Sequence, residues 1–190
     1  MHAPNAGPSR RGYSLIELLV VTVVVGVMLA IYGSRFRISP ETEVQLAATQ
    51  LAQDLDLART RALSTRSLAR VRFSTGSDNY TGYLDNDNDG AIEQTQLERD
   101  ALRAFGTRAL PLHIVFGRGD ASDVPDVVGS GPITFADETV EFDARGLTLP
   151  AGVGGVVYLR QESSMTAVAA VAISPAGNVR LWTWQLGVWK

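Results

Sequence analysis

Between Tyr13 and Ser34 the chain carries a single formal charge, Glu17, in an otherwise apolar run rich in leucine and valine. Wound as an α-helix, those 22 residues extend about 33 Å at ~1.5 Å per residue, enough to cross a bilayer. Valine is a mediocre helix former in water. In lipid the helix is the only open-ended structure that satisfies its own backbone, so the valines are tolerated there. An ordinary secretory signal fits poorly: the run is longer than the usual apolar core of a signal, and no small-x-small site ends it. Arg10 and Arg11 are the only charged side chains before Gly12, and they favour a cytoplasmic N-terminus. A carboxylate inside an apolar span is costly without a partner, so Glu17 calls for one.

Composition removes several chemistries. The 190 residues include no cysteine and only two histidines, His2 and His113. Disulfides, thiolate metal sites, a cysteine nucleophile and a histidine metal cluster are therefore excluded. The formal net charge of −3 does not advertise broad attraction to nucleic acid.

After the apolar run, Ser39-Pro40-Glu41 predicts a break near residues 34–40 and the first turn of a new helix. Proline suits that turn, and Glu41 and Glu43 complement its dipole. Val44, Ala47, Ala48, Leu51, Ala52, Leu55, Ala58, Ala62 and Leu63 recur at steps of three and four, one apolar helical face suited to packing on a sheet. Gln45, Gln53, Asp54, Asp56, Arg59 and Arg61 decorate the rest. From Val71 on, short alternating runs bounded by Gly, Asp and Pro predict strands at Ala69–Ser74, Tyr80–Leu84, Leu112–Phe116, Ile133–Phe135, Thr139–Phe142, Val156–Arg160, Ala167–Ser174 and Val179–Gln185. Segments 117–132 and 149–155 read as loops, and 91–108 fits loop, strand or short helix.

The N-terminal residues also carry a resemblance. Arg11-Gly12-Tyr13-Ser14-Leu15-Ile16-Glu17-Leu18-Leu19-Val20-Val21 resembles the type IV prepilin signature, with tyrosine where phenylalanine is usual. That resemblance implies cleavage between Gly12 and Tyr13 by a prepilin peptidase, methylation of the new Tyr13 amine, and pairing of Glu17 with a neighbouring subunit's N-terminus. Leu51–Leu63, the Tyr83–Gly90 hairpin with Glu98, Val140–Gly146 and Ile173–Trp182 resemble, in order, segments of the GspH/FimT group of minor pilins and pseudopilins.

Three smaller constellations invite chemistry. Asp85-Asn86-Asp87-Asn88-Asp89-Gly90-Ala91-Ile92 alternates carboxylates before a turn glycine, as calcium loops do. Its twelfth position is Gln96 rather than a bidentate glutamate, with Glu93 or Glu98 as substitutes. Calcium on Asp85, Asp87, Asp89 and Glu93, or a solvated Asp-Gly turn, both fit. Arg180 and Trp182 close Gly177-Asn178-Val179-Arg180-Leu181-Trp182. Some relatives in DNA uptake bind DNA through a Gly-Arg-x-Arg element here, but Asn178 replaces the first arginine, which weakens phosphate binding. Tryptophans at this place fit base stacking or burial. Arg118-Gly119-Asp120, His113 and Gly152-Val-Gly-Gly155 read as a polar loop, a structural histidine and a turn.

These readings combine into an α+β, pilin-like chain. Residues 1–12 form a leader, 13–34 a transmembrane and filament-core helix, 35–70 a kink and amphipathic helix, and 71–190 a β-rich domain with an antiparallel sheet. The expected role is assembly rather than catalysis, in a type IV pilus, competence or type II secretion filament. The expected partners are the peptidase, other pilin subunits and the inner membrane, with the globular domain outside the cytoplasm. DNA binding is the alternative.

Overall fold

The computed structural model describes residues 13–33, 39–102, 106–125, 127 and 129–190. The chain divides into two compact units, Met1–Ile38 and Ser39–Lys190.

In the first unit, α1 runs from Leu15 to Gly33. No helix among the described residues is long and apolar enough to cross a membrane. As described, α1 has 19 residues, about 28 Å of rise. The predicted span reaches Ser34, which lies outside the described residues. So does most of the predicted break at 34–40.

In the second unit, α2 spans Pro40–Thr65. Ser39 caps it, its hydroxyl accepting from the Thr42 N–H at 3.3 Å, while Pro40 fills the first turn, where its missing N–H costs nothing. Arg66, in the left-handed conformation (φ 57°), ends it. Among the described residues, ten strands follow in two five-stranded sheets. One has the order β3(Thr107–Ala109), β2(Asn79–Leu84), β1(Ala69–Ser74), β5(Thr139–Phe142), β6(Thr148–Leu149). The other has β10(Val188–Trp189), β9(Val179–Gln185), β8(Val168–Ile173), β7(Gly155–Gln161), β4(Ile114–Phe116). All named strand pairs are antiparallel.

The predicted apolar face of α2 is the buried one: Val44, Ala47, Ala48, Leu51, Leu55, Ala58 and Ala62 join Val71, Phe73, Val140, Phe142, Val157, Leu159 and Val171 in the main core. Leu63, placed on that face, is exposed instead. Asp54, placed on the polar face, is 4% exposed. It accepts a hydrogen bond from the Tyr80 hydroxyl at 2.5 Å and one from Gln50 Nε2 at 3.2 Å, and Arg108 Nε lies 3.3 Å away. One carboxylate thus ties α2 to β2 and β3. Burial, then the bond to Asp54 and its charge, push the Tyr80 phenol far above its ordinary value near 10.

Several strands shift from their predicted bounds. Ile133–Phe135 forms only a bridge from Ile133 to Val157, since Pro132 has no N–H to extend a ladder. Leu112 and His113 belong to a turn closed by the Ile114 N–H on the Pro111 carbonyl (3.0 Å), so β4 starts at Ile114. The ambiguous stretch resolves into α3 (Gln96–Leu102) and β3. A capping box starts α3: the Glu98 N–H donates to the Thr95 hydroxyl (3.3 Å), and the Glu98 carboxylate accepts from the Thr95 N–H (3.0 Å).

Tyr80→Phe removes a hydrogen bond to a charged acceptor and should cost about 1.5–3 kcal/mol of stability, measured by urea denaturation of Ser39–Lys190. The raised phenol pKa also has a sign. The folded state keeps a proton that the unfolded chain sheds above pH about 10, so wild-type stability should fall as pH climbs past that point. Tyr80→Phe should flatten that alkaline limb, and an unchanged limb would refute the coupling.

Candidate functional site

The first candidate is α1 itself. Tyr13 and Ser14 precede it, and Glu17 sits in its first turn. The N–H groups of Glu17 and Leu18 donate to the Ser14 carbonyl at 3.0 and 3.2 Å. Thr22, in the middle, donates its hydroxyl back to Leu18 and Leu19 carbonyls at 3.0 and 2.9 Å, so it carries no unmet polar group into apolar surroundings. From Tyr13 to Ile31 every residue is exposed. A helix apolar on all sides needs surroundings that are apolar on all sides. The Glu17 carboxylate has no hydrogen-bonding partner among the described residues. Glu17 is the one charged side chain on this exposed stretch, 13–31.

The second candidate is the turn after β2. Asp85, Asp87 and Asp89 bring carboxylate oxygens within 4.8 Å of one another. Asp85 is buried, and its two oxygens accept the N–H groups of Asn88 (2.6 Å) and Gly90 (3.1 Å). Gly90 supplies a positive φ of 87° that closes the turn. Glu93, counted with them in the sequence, stands outside this group. Its own backbone N–H favours the charged carboxylate, yet slight burial and the nearby Glu98 and Asp89 together push its pKa up. Glu98 does not substitute as a ligand: it is 1% exposed and engaged in the capping box. Gln96 Nε2 binds Asp100 on the same helix (2.9 Å). Three carboxylates thus converge, and the twelfth-position carboxylate of a full calcium loop is missing.

The third candidate is the outer face of the second sheet. The Arg180 guanidinium lies 5.6 Å from the Trp182 ring centre. Trp184 and Trp189 meet edge to face at 5.1 Å, Trp189 lies 5.9 Å from Tyr158, and the Trp189 indole N–H donates to the Ser122 carbonyl at 3.1 Å. Together with Val124, Val156 and Ala170 they form a second, smaller core roofed by the 117–132 loop. The tryptophans are half-buried packing residues, so their rings are not free stacking platforms. Arg118 is likewise internal. It donates to the carbonyls of Ala121 (2.8 Å) and Gly129 (2.9 Å), pairs with Asp123 at 2.8 Å and lies over Tyr158. The Arg118-Gly119-Asp120 tripeptide is the staple of this loop. Exposed His113 faces Glu162 at 3.8 Å.

Three segments singled out separately in the sequence converge elsewhere. Arg59 of α2 donates from Nε to the Gly146 carbonyl (3.0 Å) and from a terminal nitrogen to the Ala176 carbonyl (3.1 Å). Gly177 packs so closely that an added Cβ would strike the Gly146 carbonyl oxygen. Beside Gly146, burial disfavours the charged Asp143 carboxyl, but hydrogen bonds from the Leu147 and Arg145 N–H groups and the Arg145 side chain outweigh it and lower its pKa. Sequence order alone did not show that these turns touch.

Residues 7–32 match the family described as the prokaryotic N-terminal methylation motif. No curated protein matches the chain. Among solved structures, the chain is similar to the Pseudomonas aeruginosa type IV minor pilin FimU, at 18% identity over 73% of this chain and 87% of that one, TM-score 0.49. It is also similar to EpsH, the minor pseudopilin of the Vibrio cholerae type 2 secretion system, at 12% identity over 74% of this chain and 97% of that one, TM-score 0.49.

Arg59→Ala leaves two carbonyls without their donor and should destabilise the domain by about 1–3 kcal/mol. Gly177→Ala should cost more, because it adds a backbone clash to a left-handed φ of 75°. Thermal unfolding of both variants checks the order, and a milder Gly177→Ala would contradict it.

Proposed function

We propose that this chain is a minor pilin or pseudopilin, assembled into a filament of a type IV pilus or type II secretion machine. The observation that carries the reading is α1: an apolar helix, exposed from Tyr13 to Ile31, whose single carboxylate sits in its first turn, inside the match to the N-terminal methylation motif. Before assembly, α1 with its flanking residues holds the chain in the cytoplasmic membrane, and Ser39–Lys190 lies outside the cytoplasm. A prepilin peptidase cuts between Gly12 and Tyr13, and the Tyr13 amine is methylated. Apolar stems of neighbouring pilin subunits then replace lipid around α1. Glu17 pairs with a neighbour's Tyr13 amine, because an ion left alone among packed stems is costly while a paired one is tolerated. The pair sets axial register more than stability. Competence and DNA uptake through Arg180 and Trp182 form a lesser alternative, since Arg180 is already stacked and Asn178 supplies no second cation.

The converging Asp85, Asp87 and Asp89 favour a separate property of the same domain: a calcium ion held by these carboxylates and ordering the turn. Millimolar calcium should raise the melting temperature of Ser39–Lys190 by mass action, and Asp87→Asn should abolish the rise. An unchanged melting temperature leaves a hydrogen-bonded Asp-Gly turn.

For the assembly reading, the mature chain should begin with N-methyl-tyrosine at residue 13, and replacing Gly12 by a bulky residue should leave the leader attached, both read by mass spectrometry. Glu17→Ala should still be inserted and cleaved but enter filaments poorly, with Glu17→Asp intermediate. Co-purification of tagged variants with filaments measures this, and wild-type incorporation of Glu17→Ala refutes the pairing.

A further inference from the structure

In the second sheet the seven-residue strand β9 is covered on its outer side only in part. β10 pairs with Trp184 and Gln185, and Thr183 exchanges both backbone hydrogen bonds with Lys190, at 2.9 and 3.0 Å. There the cover stops. The backbone groups of a strand alternate from side to side. Thr183 turns its N–H and carbonyl outward, so Leu181 and Val179 do the same, while Trp182 and Arg180 turn theirs toward Ala170 and Ala172 of β8. Among the described residues, no strand pairs with the outer side of β9 between Val179 and Trp182.

The other sheet margins offer less. β3, β4 and β6 are three, three and two residues long. Beyond β4, the outer side of β7 is taken up: the Tyr158 N–H donates to the Pro132 carbonyl (2.7 Å), and the Thr134 N–H donates to the Val156 carbonyl (3.0 Å). An open row of N–H and C=O groups, such as that of β9, is a template for another strand.

The side chains along this row set what can pair with it. Val179 and Leu181 pack against the main core, so one face of the row is apolar. Arg180 is exposed on the opposite face, its guanidinium 5.6 Å from the Trp182 ring centre. Its neighbour across β8 is Ala172, and among the described residues no carboxylate forms an ion pair with it. A second copy of β9 fits badly. In antiparallel pairing with Leu181 opposite Leu181 of a second copy, Val179 of that copy falls opposite Thr183, where Lys190 already sits. Setting Val179 opposite Leu181 of the copy clears Lys190 but stands Arg180 directly against Arg180 of the copy, and like charges so placed are destabilising. A segment of a different chain with a carboxylate opposite Arg180 meets neither obstacle.

We propose that the outer side of β9, from Val179 to Trp182, receives an extended segment of a different polypeptide, antiparallel to it. That segment carries an acidic residue opposite Arg180, flanked by apolar residues opposite Val179 and Leu181. Backbone hydrogen bonds at Leu181 and Val179 supply the affinity, and the carboxylate on Arg180 supplies the selection. Arg180 here partners a carboxylate rather than a phosphate, and the inference is independent of the reading of α1.

The test supplies the segment in cis, where its high local concentration reveals even a weak preference. The tail Thr-Val-Glu-Val is added after Lys190 of the full chain in detergent micelles. Continued along β9, it sets a valine opposite Leu181, the glutamate opposite Arg180 and a valine opposite Val179. A second tail has lysine in place of the glutamate. Amide hydrogen exchange at Leu181 and Val179 is followed by NMR. The glutamate tail should slow it about fivefold or more relative to the lysine tail, and Arg180→Glu should reverse the order of the two tails. Equal exchange with both tails overturns the proposal. So does an unextended chain in which the Leu181 and Val179 amides already exchange as slowly as that of Trp182, because the edge is then closed. Slowing that grows with protein concentration in the unextended chain would assign the edge to a second copy and overturn it as well.

Discussion

Alanine on one face of α2 governs the domain. Ala47, Ala48, Ala58 and Ala62 are almost fully buried beside Leu51 and Leu55, so the helix approaches the strands closely enough to touch both sheets. A larger side chain at these places would push helix and sheet apart and open voids along the contact, which close-packed interiors do not tolerate cheaply. Into this apolar seam the chain sets one carboxylate, Asp54, with Tyr80, Gln50 and Arg108 around it. A buried charge so partnered adds little by itself, but it permits only one registration of α2 along β2 and β3. Five residues further along the helix, Arg59 registers it against two turns by the same logic.

A rigid, self-contained domain matters because α1 makes the opposite demand. The domain's core is built from its own residues, whereas α1 is exposed from Tyr13 to Ile31 and apolar apart from Glu17 and Thr22. In the proposed cycle the surroundings of α1 change while the domain's need not. Glu17 is the exception within α1: in the proposed cycle, lipid would leave it near the interface, and a packed filament would have to supply it a partner.

The domain is also unequal at its two ends. Near Arg59 the turns are locked by backbone contact between Gly146 and Gly177. Where α2 begins, the turns expose Leu112, Met165 and Leu186.

The one-dimensional pattern determined what depends on neighbours in sequence. The apolar run, the cap at Ser39 with Pro40, the alanine-rich face of α2 and the bounds of β1, β5 and β9 follow from local periodicity and turn chemistry, and so does the methylation motif. The Thr95-Gln-Leu-Glu98 capping box was legible in the same way and marks the start of α3, although the surrounding polar residues obscured it. Tertiary structure decided the rest. Asp54 sits on α2 among polar residues, and only the placing of Tyr80 and Arg108, 26 and 54 positions away, makes it a buried anchor. The tryptophans became packing residues because a distant loop folds over them. The alternating aspartates met at one point because Asp85 is buried and gathers the turn's N–H groups, while Glu98 was drawn off into its helix cap. Side-chain partners far apart in sequence are set by sheet order and register, and no local pattern encodes which strands will lie side by side.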